Sequence, residues 1–254
     1  MLMSIFWLQQ TVADLPTDNA WLCANERLRL SAMKFTKRRN DWRLGRWTAK
    51  CAIAAYLGWR TESSVLDRIE IRAATSGAPE AFIAEQRAAL GVSLSHCAGR
   101  AIAAVVSSAA VGCDLETIEP RLDAFVRDYF TSEEQLLVEN MPAPSRPALV
   151  TLLWSAKESA LKALGHGLRL DTRSISVNGQ GMSRHLPAGF QMARDQGNQH
   201  ALCGPGQAGW LPLQVCCRDS GRTFYGWWET NSDLVRTLVT DAQLPPPVLL
   251  NPQL

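Results

Sequence analysis

The pattern of hydrophobic and polar positions between residues 101 and 118 predicts a β-hairpin. Its first strand, Ala101–Val106, is a continuous run of small and β-branched residues, which is typical of a buried strand. Ser107-Ser108 has the composition of a turn, and residues 111–118 then alternate between apolar and polar side chains. We therefore expect two strands joined by a tight turn.

The second of these strands carries two carboxylates on one face. Side chains two apart on a strand point the same way, so Gly112, Asp114 and Glu116 share a face. Residues two apart rise about 6.6 Å, so both carboxylates can reach one cation, and Gly112 leaves room beside them for a ligand. The opposite face holds Val111, Cys113 and Leu115.

A helical period predicts a helix over residues 147–164. Pro147 suits the first helical position and Gly165 is placed to terminate the helix. Glu158 lies on the inward-leaning side and Lys162 one turn further, so a carboxylate and an ammonium project together. The apolar stripe consists of Val150, Leu153, Trp154, Leu161 and Leu164.

Each of these groups also has an ordinary structural interpretation. Asp114 and Glu116 can decorate an exposed strand face, and Glu158 with Lys162 can form a surface pair that contributes about 0.3 kcal/mol. Taken together with Lys157, however, the three carboxylates and two lysines suit a divalent cation bound to a phosphate ester.

A stretch of this helix has a counterpart earlier in the chain. Trp47–Lys50 reads Trp-Thr-Ala-Lys and is followed by Gly58, as Trp154–Lys157 reads Trp-Ser-Ala-Lys and is followed by Gly165 at the same spacing. Such self-similarity indicates a duplication, although small-residue helices can also match by chance.

The earlier copy lacks the chemical groups of the later one. Cys51 stands where Glu158 would be, and Ala55 stands where Lys162 would be. Only one copy could therefore carry the chemistry, so we expect a single site at the seam between two halves.

Composition and cysteine usage are those of a globular cytoplasmic protein. The chain has 254 residues, of which 46% are hydrophobic and 20% charged, and no apolar run reaches the roughly 18 residues that a membrane span needs. Met1–Val12 lacks the basic leader of a secretory signal and is expected to form a first strand. Seven cysteines without a CxxC pair predict reduced thiols rather than a disulfide framework or a zinc site.

Positive charge is concentrated between residues 27 and 50, although the net charge is only +2. This stretch holds nine basic residues against one acidic residue, Asp41. A solvated helix face or a nucleic-acid patch would explain it, but only Trp42 and Trp47 are interleaved and no reader motif accompanies them. We therefore expect phosphate binding and no nucleic-acid partner.

These motifs resemble those of the Sfp-type 4′-phosphopantetheinyl transferases. GxDxE at residues 112–116, followed by WxxKExxxK at 154–162, resembles the two diagnostic motifs of that family. The resemblance covers roughly residues 35 to 180. Its further parts are Ser93-Leu94-Ser95-His96, similar to the coenzyme A motif, Tyr129–Glu134, similar to the FxxxE segment, and Gly165-His166-Gly167-Leu168.

The resemblance implies an α+β fold built as a pseudo-dimer of two similar α+β halves. We expect residues 1–108 to form the N-terminal half, with the basic helix and the coenzyme A nucleotide contacts. Residues 109–230 would form the C-terminal half, with the magnesium and catalytic residues, and residues 231–254 a C-terminal helix and a Pro-rich tail. The protein would be a monomer with an internal pseudo-twofold.

The resemblance also implies a reaction. The 4′-phosphopantetheine arm of coenzyme A would pass to a serine of an apo acyl or peptidyl carrier protein, releasing adenosine 3′,5′-bisphosphate. Mg²⁺, or Mn²⁺ in its place, would be held by Asp114, Glu116 and Glu158. Glu158 would also accept the serine proton, and Lys162 would offset charge on the leaving phosphate. Lys157 points elsewhere on the helix and would contact phosphate or be solvated; we expect it to be solvated.

Coenzyme A would be held by a second group of residues. By resemblance, Arg46 reaches the 3′-phosphate, and Ser95 with His96 holds the same nucleotide end; a structural histidine in a loop is the alternative for His96. Where the family usually has Gly-Lys-Pro, this chain has Gly77-Ala78-Pro79. A cation is missing there; either Arg72 compensates for it or coenzyme A binds more weakly.

The sequence is compatible with two roles for the segment after the second strand and with two other functions for the whole chain. Residues 120–147, including a short helix Thr131–Asn140 capped onto Glu134, are candidates for docking an acidic carrier, or they serve packing only. The same motifs would also fit a non-catalytic coenzyme A or carrier-binding homologue. A third interpretation is a metal-dependent phosphoesterase.

Overall fold

The computed structural model describes residues 3–165, 170–179, 182, 186, 209–231 and 233–252. The helices are α1 (Ala24–Ser31), α2 (Thr36–Tyr56), α3 (Ser63–Leu66), α4 (Asp123–Tyr129), α5 (Ser132–Glu139) and α6 (Arg146–Leu164). The strands are β1 (Phe6–Thr11), β2 (Ile69–Ala73), β3 (Pro79–Ile83), β4 (Gln86–Arg87), β5 (Leu90–Cys97), β6 (Arg100–Ser107), β7 (Val111–Thr117), β8 (Ile175–Val177), β9 (Leu211–Cys217), β10 (Arg222–Thr230), β11 (Leu234–Thr240) and β12 (Val248–Leu249). The predicted α+β class is confirmed.

The described strands form three sheets. The first has the order β12-β1-β6-β5 and is antiparallel except for the parallel pair of β12 with β1. The second has the order β7-β11-β10-β9-β8 and is antiparallel throughout. The third is a small sheet of β2, β3 and β4.

The two large sheets pack on each other, and each carries a long helix on its outer side. Helix α2 packs on β6 and β1, and α6 packs on β7 and β11. Alternate residues of β6 belong to different cores: Ala103 and Val105 pack with α2, whereas Ala104 and Val106 pack with β7 and β11. Because β6 is buried on both faces between Ala101 and Val106, its sequence is apolar at each of these positions.

The strands β6 and β7 occupy the predicted positions but do not pair with each other. β6 pairs with β1 and β5, whereas β7 pairs with β11. Between them Ser108 has a positive φ of 51°, and the chain passes from the first sheet to the second. The predicted hairpin was therefore wrong, because alternation identifies a strand but not its partner.

The predicted C-terminal helix was also wrong. Residues 231 and 233–252 contain no helix; β11 lies inside the second sheet between β7 and β10, and β12 joins the first sheet. The sequence Leu-Val-Arg-Thr-Leu-Val-Thr of β11 is rich in β-branched residues, which favour strands over helices. Both of its neighbours are long strands, so β11 completes the sheet.

Several predicted elements are confirmed. β1 is the expected first strand. Helix α6 ends at Gly165, which adopts the left-handed conformation with φ 73°. Helix α5 begins after Thr131, whose hydroxyl accepts a hydrogen bond from the Glu134 amide. None of the helices within the described ranges is long and apolar enough to cross a membrane.

Lys157 is fully buried, so the prediction that it is solvated was wrong. Its ammonium forms an ion pair with Glu134 at 2.7 Å. It also donates hydrogen bonds to the backbone carbonyls of Thr172 at 2.9 Å and Ile175 at 2.7 Å. A buried ammonium needs this full set of partners. The ion pair could not be predicted, because Glu134 lies 23 positions earlier in the chain and no local pattern relates it to Lys157.

The first half of the chain contains the same arrangement. Lys50 on α2 pairs with Glu26 and donates to the carbonyls of Trp21 and Leu66. Glu26 and Glu134 are each the third residue of a helix and accept from its N-cap amide. The strand amides that complete the pattern are Ile71, which donates to Glu26, and Val177, which donates to Glu134. This correspondence supports the predicted duplication.

Candidate active site

Three elements bring polar side chains together at one edge of the second sheet. Lys162 on α6 donates hydrogen bonds to Asp114 Oδ1 at 2.7 Å and to the Cys113 carbonyl at 3.0 Å. Ser95 on β5 donates to the same Oδ1 atom of Asp114 at 2.8 Å. The structure therefore places three predicted site residues next to one another: the catalytic Lys162, the metal ligand Asp114 and the coenzyme A contact Ser95.

Gly112 allows α6 to lie close to β7. A Cβ atom on Gly112 would lie 1.8 Å from the Ser159 carbonyl oxygen, so no other residue fits without moving the helix. The space beside Gly112 that we expected for a ligand is therefore filled by the helix backbone. This close approach places Glu158 and Lys162, on the same helix, next to the carboxylates of β7.

Two of the three predicted metal-ligating carboxylates keep an unpartnered oxygen. Asp114 is only 3% exposed, and its Oδ2 atom has no hydrogen-bond partner among the described residues. The Oε1 atom of Glu158 is likewise buried without a described partner. Buried unsatisfied oxygens cost free energy unless a ligand, an ion or water satisfies them, so both atoms point to a bound group.

Glu116, the third carboxylate, is held on both of its oxygens. Trp154 on α6 donates its indole N–H to Glu116 Oε1 at 3.2 Å. Arg121 lies 3.4 Å from Glu116 Oε2. Neither partner was predicted for Glu116. Trp154 lies one helical turn before Glu158, so the sequence could have indicated that its side chain faces the same site. No feature of the sequence indicated Arg121.

Burial and the charge of Asp114 raise the proton affinity of the two glutamates of the site. Burial raises the pKa of Glu116 to about 7, and repulsion from Asp114 contributes, while Arg121 and Trp154 oppose the shift. Burial and Asp114 also raise the pKa of Glu158, against the effect of Lys162. Burial alone would lower the pKa of Lys162, but attraction to Asp114, with smaller contributions from Cys113 and Glu158, raises it overall. Buried carboxylates that are repelled by Asp114 favour a cation at this site.

The donor set fits a magnesium ion, although no ligand cage is already assembled. Within the described residues, no three Asp, Glu, His or Cys side chains are grouped closely enough to hold a metal. The free oxygens of Asp114 and Glu158 are nevertheless the hard ligands that Mg²⁺ prefers, and Mg²⁺ commonly binds few carboxylates and retains water.

A cavity of about 430 Å³ adjoins Lys162. Its lining includes Ala78, where the expected lysine is missing, and Arg87, which is paired with Glu80 at 2.7 Å. Arg72 does not line this cavity; it lies 2.6 Å from Glu70 and stacks on Phe82 instead. Arg87, which we did not predict, therefore lines the cavity in which we expected Arg72 to replace the missing lysine.

A second cavity, of about 540 Å³, contains Arg46 and His96. Ser95 and His96 are neighbours on β5, so their side chains point to opposite faces: Ser95 contacts Asp114, whereas His96 lines the cavity with Arg46. Arg46 is largely buried and lies 5.1 Å from the Trp42 ring centre, and burial lowers its pKa. The remaining basic lining residues are Lys37 and Arg38.

Comparisons with known proteins agree with the motifs. Residues 110–194 match the model of the 4′-phosphopantetheinyl transferase superfamily. The chain is 26% identical over 165 residues to 4′-phosphopantetheinyl transferase HetI of Nostoc sp. (strain PCC 7120 / SAG 25.82 / UTEX 2576), covering 63% of this chain and 67% of that protein. It is 34% identical over 95 residues to 4′-phosphopantetheinyl transferase psf-1 of Bacillus pumilus, covering 36% of this chain and 40% of that protein. The predicted resemblance is confirmed.

Proposed function

We propose that this chain is a 4′-phosphopantetheinyl transferase, as its match to that superfamily over residues 110–194 suggests, and that it transfers the 4′-phosphopantetheine arm of coenzyme A to a serine of an apo acyl or peptidyl carrier protein. The observation that carries the proposal is the convergence of Asp114 and Glu158, each with a free carboxylate oxygen, on Lys162, which lines a cavity. Phosphoryl transfer depends mainly on positioning and on neutralising charge, and this group supplies both.

Asp114, Glu116 and Glu158 would hold Mg²⁺, or Mn²⁺ in its place. When bound, such a cation neutralises charge on the pyrophosphate oxygens of coenzyme A. Two of the three carboxylates already present an oxygen without a described partner, whereas both oxygens of Glu116 already accept a hydrogen bond. Binding of the cation would also offset the burial and the repulsion from Asp114 that raise the pKa values of Glu116 and Glu158.

Glu158 and Lys162 would carry the proton and the charge of the reaction. The serine hydroxyl of the carrier attacks the β-phosphorus, the bond from that phosphorus to the bridging oxygen breaks, and adenosine 3′,5′-bisphosphate leaves. Glu158 accepts the serine proton at its free oxygen, which is buried and has no partner among the described residues. Lys162, kept protonated by Asp114, offsets negative charge on the leaving group.

The nucleotide end of coenzyme A would bind in the cavity of Arg46 and His96. This cavity combines the guanidinium of Arg46 with Lys37, Arg38 and the ring of Trp42, a set suited to a phosphate and a base. Ser95 would act at the other end of the site, since its hydroxyl orients Asp114. Arg72 is engaged by Glu70 and has no part in this proposal.

The carrier protein would dock on the segment that follows β7. A cavity of about 440 Å³ there is lined by Arg121, Arg127 and Arg146, by the carboxylates of Asp123 and Glu139, and by the apolar side chains of Val126, Val138 and Val150. The three guanidinium groups outnumber the two carboxylates, and together with the apolar side chains they suit an acidic helical partner. Leu122, 80% exposed beside Arg121, would add an apolar contact.

We also propose that the protein works as a monomer in the cytoplasm. The six described cysteines are all free thiols, as is usual in a reducing compartment. The duplicated arrangement around Lys50 and Lys157 would give one chain both halves of the site. Light scattering of the purified protein at several concentrations would test this: a mass above 28.0 kDa would contradict the monomer.

The reaction is tested by weighing the carrier after incubation with coenzyme A, Mg²⁺ and the purified protein. We expect a mass gain of one phosphopantetheine arm that is lost with Glu158→Gln and retained with Glu62→Gln, a surface glutamate paired with Arg60. Adenosine 3′,5′-bisphosphate should appear in equal amount. No gain across a panel of acyl and peptidyl carriers would refute the proposal.

The same experiment separates the two other functions. A metal-dependent phosphoesterase would release adenosine 3′,5′-bisphosphate from coenzyme A without modifying the carrier. A non-catalytic homologue would bind coenzyme A or the carrier, as calorimetry would show, without turnover of either.

A further inference from the structure

Arg121 connects the candidate active site with the cavity proposed for the carrier. Its guanidinium lies 3.4 Å from Glu116 Oε2 and 3.1 Å from Glu119 Oε1, and its centre lies 5.2 Å from the Phe125 ring. The same side chain lines the 440 Å³ cavity. Arg121 therefore contacts a predicted metal ligand on one side and the docking surface on the other.

The guanidinium of Arg121 is only partly satisfied where it lies. Its Nε–H is buried without a hydrogen-bond partner among the described residues, and the contact to Glu116 is at the long end of hydrogen-bond distances. A guanidinium binds a carboxylate best through two parallel N–H groups, an arrangement that neither Glu116 nor Glu119 provides here. An incoming carboxylate that used the free Nε–H would therefore be a better partner.

Arg121 and a divalent cation compete for the same carboxylate. Trp154 donates to Oε1 of Glu116 and Arg121 to Oε2; each oxygen could still accept a second group, but the positive charge of Arg121 repels a cation that binds Glu116. Trp154 is fixed by ring contacts with Phe125 and Tyr129 at 5.1 and 5.3 Å. Arg121 lies between β7 and α4, so its side chain is the one that can move.

We propose that Arg121 is a latch on Glu116 that an acidic side chain of the carrier opens. Without the carrier, the guanidinium neutralises Glu116 and competes with the divalent cation for this carboxylate. When a carboxylate of the partner enters the cavity, it takes the guanidinium, and Glu116 becomes free to join Asp114 and Glu158 around the cation. The metal site is thereby completed when the acceptor is present. This inference rests on the function proposed above.

The latch is tested first by metal binding without coenzyme A or carrier. Mn²⁺ is titrated into the protein and the free ion is followed by electron paramagnetic resonance. We expect Arg121→Gln to bind Mn²⁺ about two- to five-fold more tightly than the wild type, the range for losing one partly exposed ion pair. Arg127→Gln, which removes a guanidinium lining the same cavity, should leave the affinity unchanged. Equal or weaker Mn²⁺ binding by Arg121→Gln would overturn the latch.

A second titration adds an apo acyl carrier protein whose acceptor serine is replaced by alanine, so that nothing turns over. We expect this carrier to tighten Mn²⁺ binding by the wild type and to have no such effect on Arg121→Gln. Arg121→Lys, which keeps the charge but not the paired N–H groups, should show Mn²⁺ affinity near the wild type and a weaker carrier effect. A carrier effect of full size in Arg121→Gln would overturn the proposal.

The two proposals fail in different ways. If the wild type modifies no carrier, the proposed reaction is refuted, whatever the metal affinities are. If the wild type modifies a carrier but Arg121→Gln binds Mn²⁺ no more tightly, the reaction stands and the latch is refuted.

Discussion

Lys157 and Glu134 form an ion pair at 2.7 Å that is closed off from solvent. Lys157 precedes the candidate catalytic Glu158 in the sequence but points away from it, because successive residues of a helix face different directions. Burial lowers the pKa of Lys157, and Glu134 opposes this shift. The two lysines of the WxxKExxxK motif therefore differ in role: Lys162 faces the site, whereas Lys157 anchors α6 in the core.

Removal of Lys157 should destabilise the protein strongly. Lys157→Met leaves Glu134 buried without its cation, and breaking such a pair costs about 3–5 kcal/mol. The free energy of unfolding, measured by urea denaturation followed by circular dichroism, is expected to fall by that amount. Lys157→Met/Glu134→Gln should recover part of the loss, because the second change removes the unpaired charge.

Lys50→Met is the matched variant in the first half of the chain. Lys50 makes the corresponding contacts with Glu26 and two carbonyls, so its replacement should cost a similar amount. If Lys157→Met were as stable as the wild type and had lost only activity, the anchoring role would be wrong.

Substitution of Gly112 should separate α6 from β7. A Cβ atom at this position would meet the Ser159 carbonyl at 1.8 Å, which is backbone and cannot rotate away. Gly112→Ala is expected to lower the free energy of unfolding by about 1–3 kcal/mol, the usual cost of overpacking. Because the helix that carries Glu158 and Lys162 must shift, carrier modification should fall more than stability alone explains.

Gly209→Ala provides the control for this substitution. No described heavy atom lies within 4 Å of a Cβ atom added at Gly209, so stability and activity should stay at wild-type levels. If the Gly112→Ala protein had the melting temperature of the wild type, α6 could move away from β7 without loss of stability, and the prediction would be wrong.

The motif residues could be placed from the sequence because each lies in an element with a clear period. Asp114 and Glu116 follow strand alternation, and Glu158 with Lys162 follows a helical turn, so their local directions were predictable. Their partners were not, because Arg121 reaches Glu116 from an irregular segment and Ser95 reaches Asp114 from another sheet. The latter contact depends on which strands lie side by side, and local periodicity carries no information on strand pairing.

Stability in the absence of divalent cations should fall as the pH rises through about 7. The pKa of Glu116 is raised from 4.5 to about 7 in the folded protein, so the folded state binds this proton more tightly than the unfolded chain. The resulting stability is complete below about pH 4.5 and is lost as the pH passes about 7. We expect a decline on the order of 1–3 kcal/mol between pH 5 and 8 in urea denaturation with a chelator present.

Glu116→Gln identifies the source of this pH dependence. The variant has no titrating group at position 116, so its decline between pH 5 and 8 should be clearly smaller than that of the wild type. Saturating Mg²⁺ should flatten the wild-type curve as well if Glu116 ligates the ion. Parallel curves for the two proteins would assign the pH dependence to other groups.

The C-terminal segment should stabilise the first sheet. Amides of Val248 and Leu250 donate to the carbonyls of Ile5 and Trp7, both at 2.8 Å, so β12 covers the edge of β1. Truncation after Pro245 removes these two bonds and is expected to cost about 1–3 kcal/mol. It also exposes the edge of β1, which favours association between chains. Truncation after Pro252 keeps β12 and serves as the control; it should melt and sediment like the full chain, whereas the shorter protein should melt earlier and form larger species.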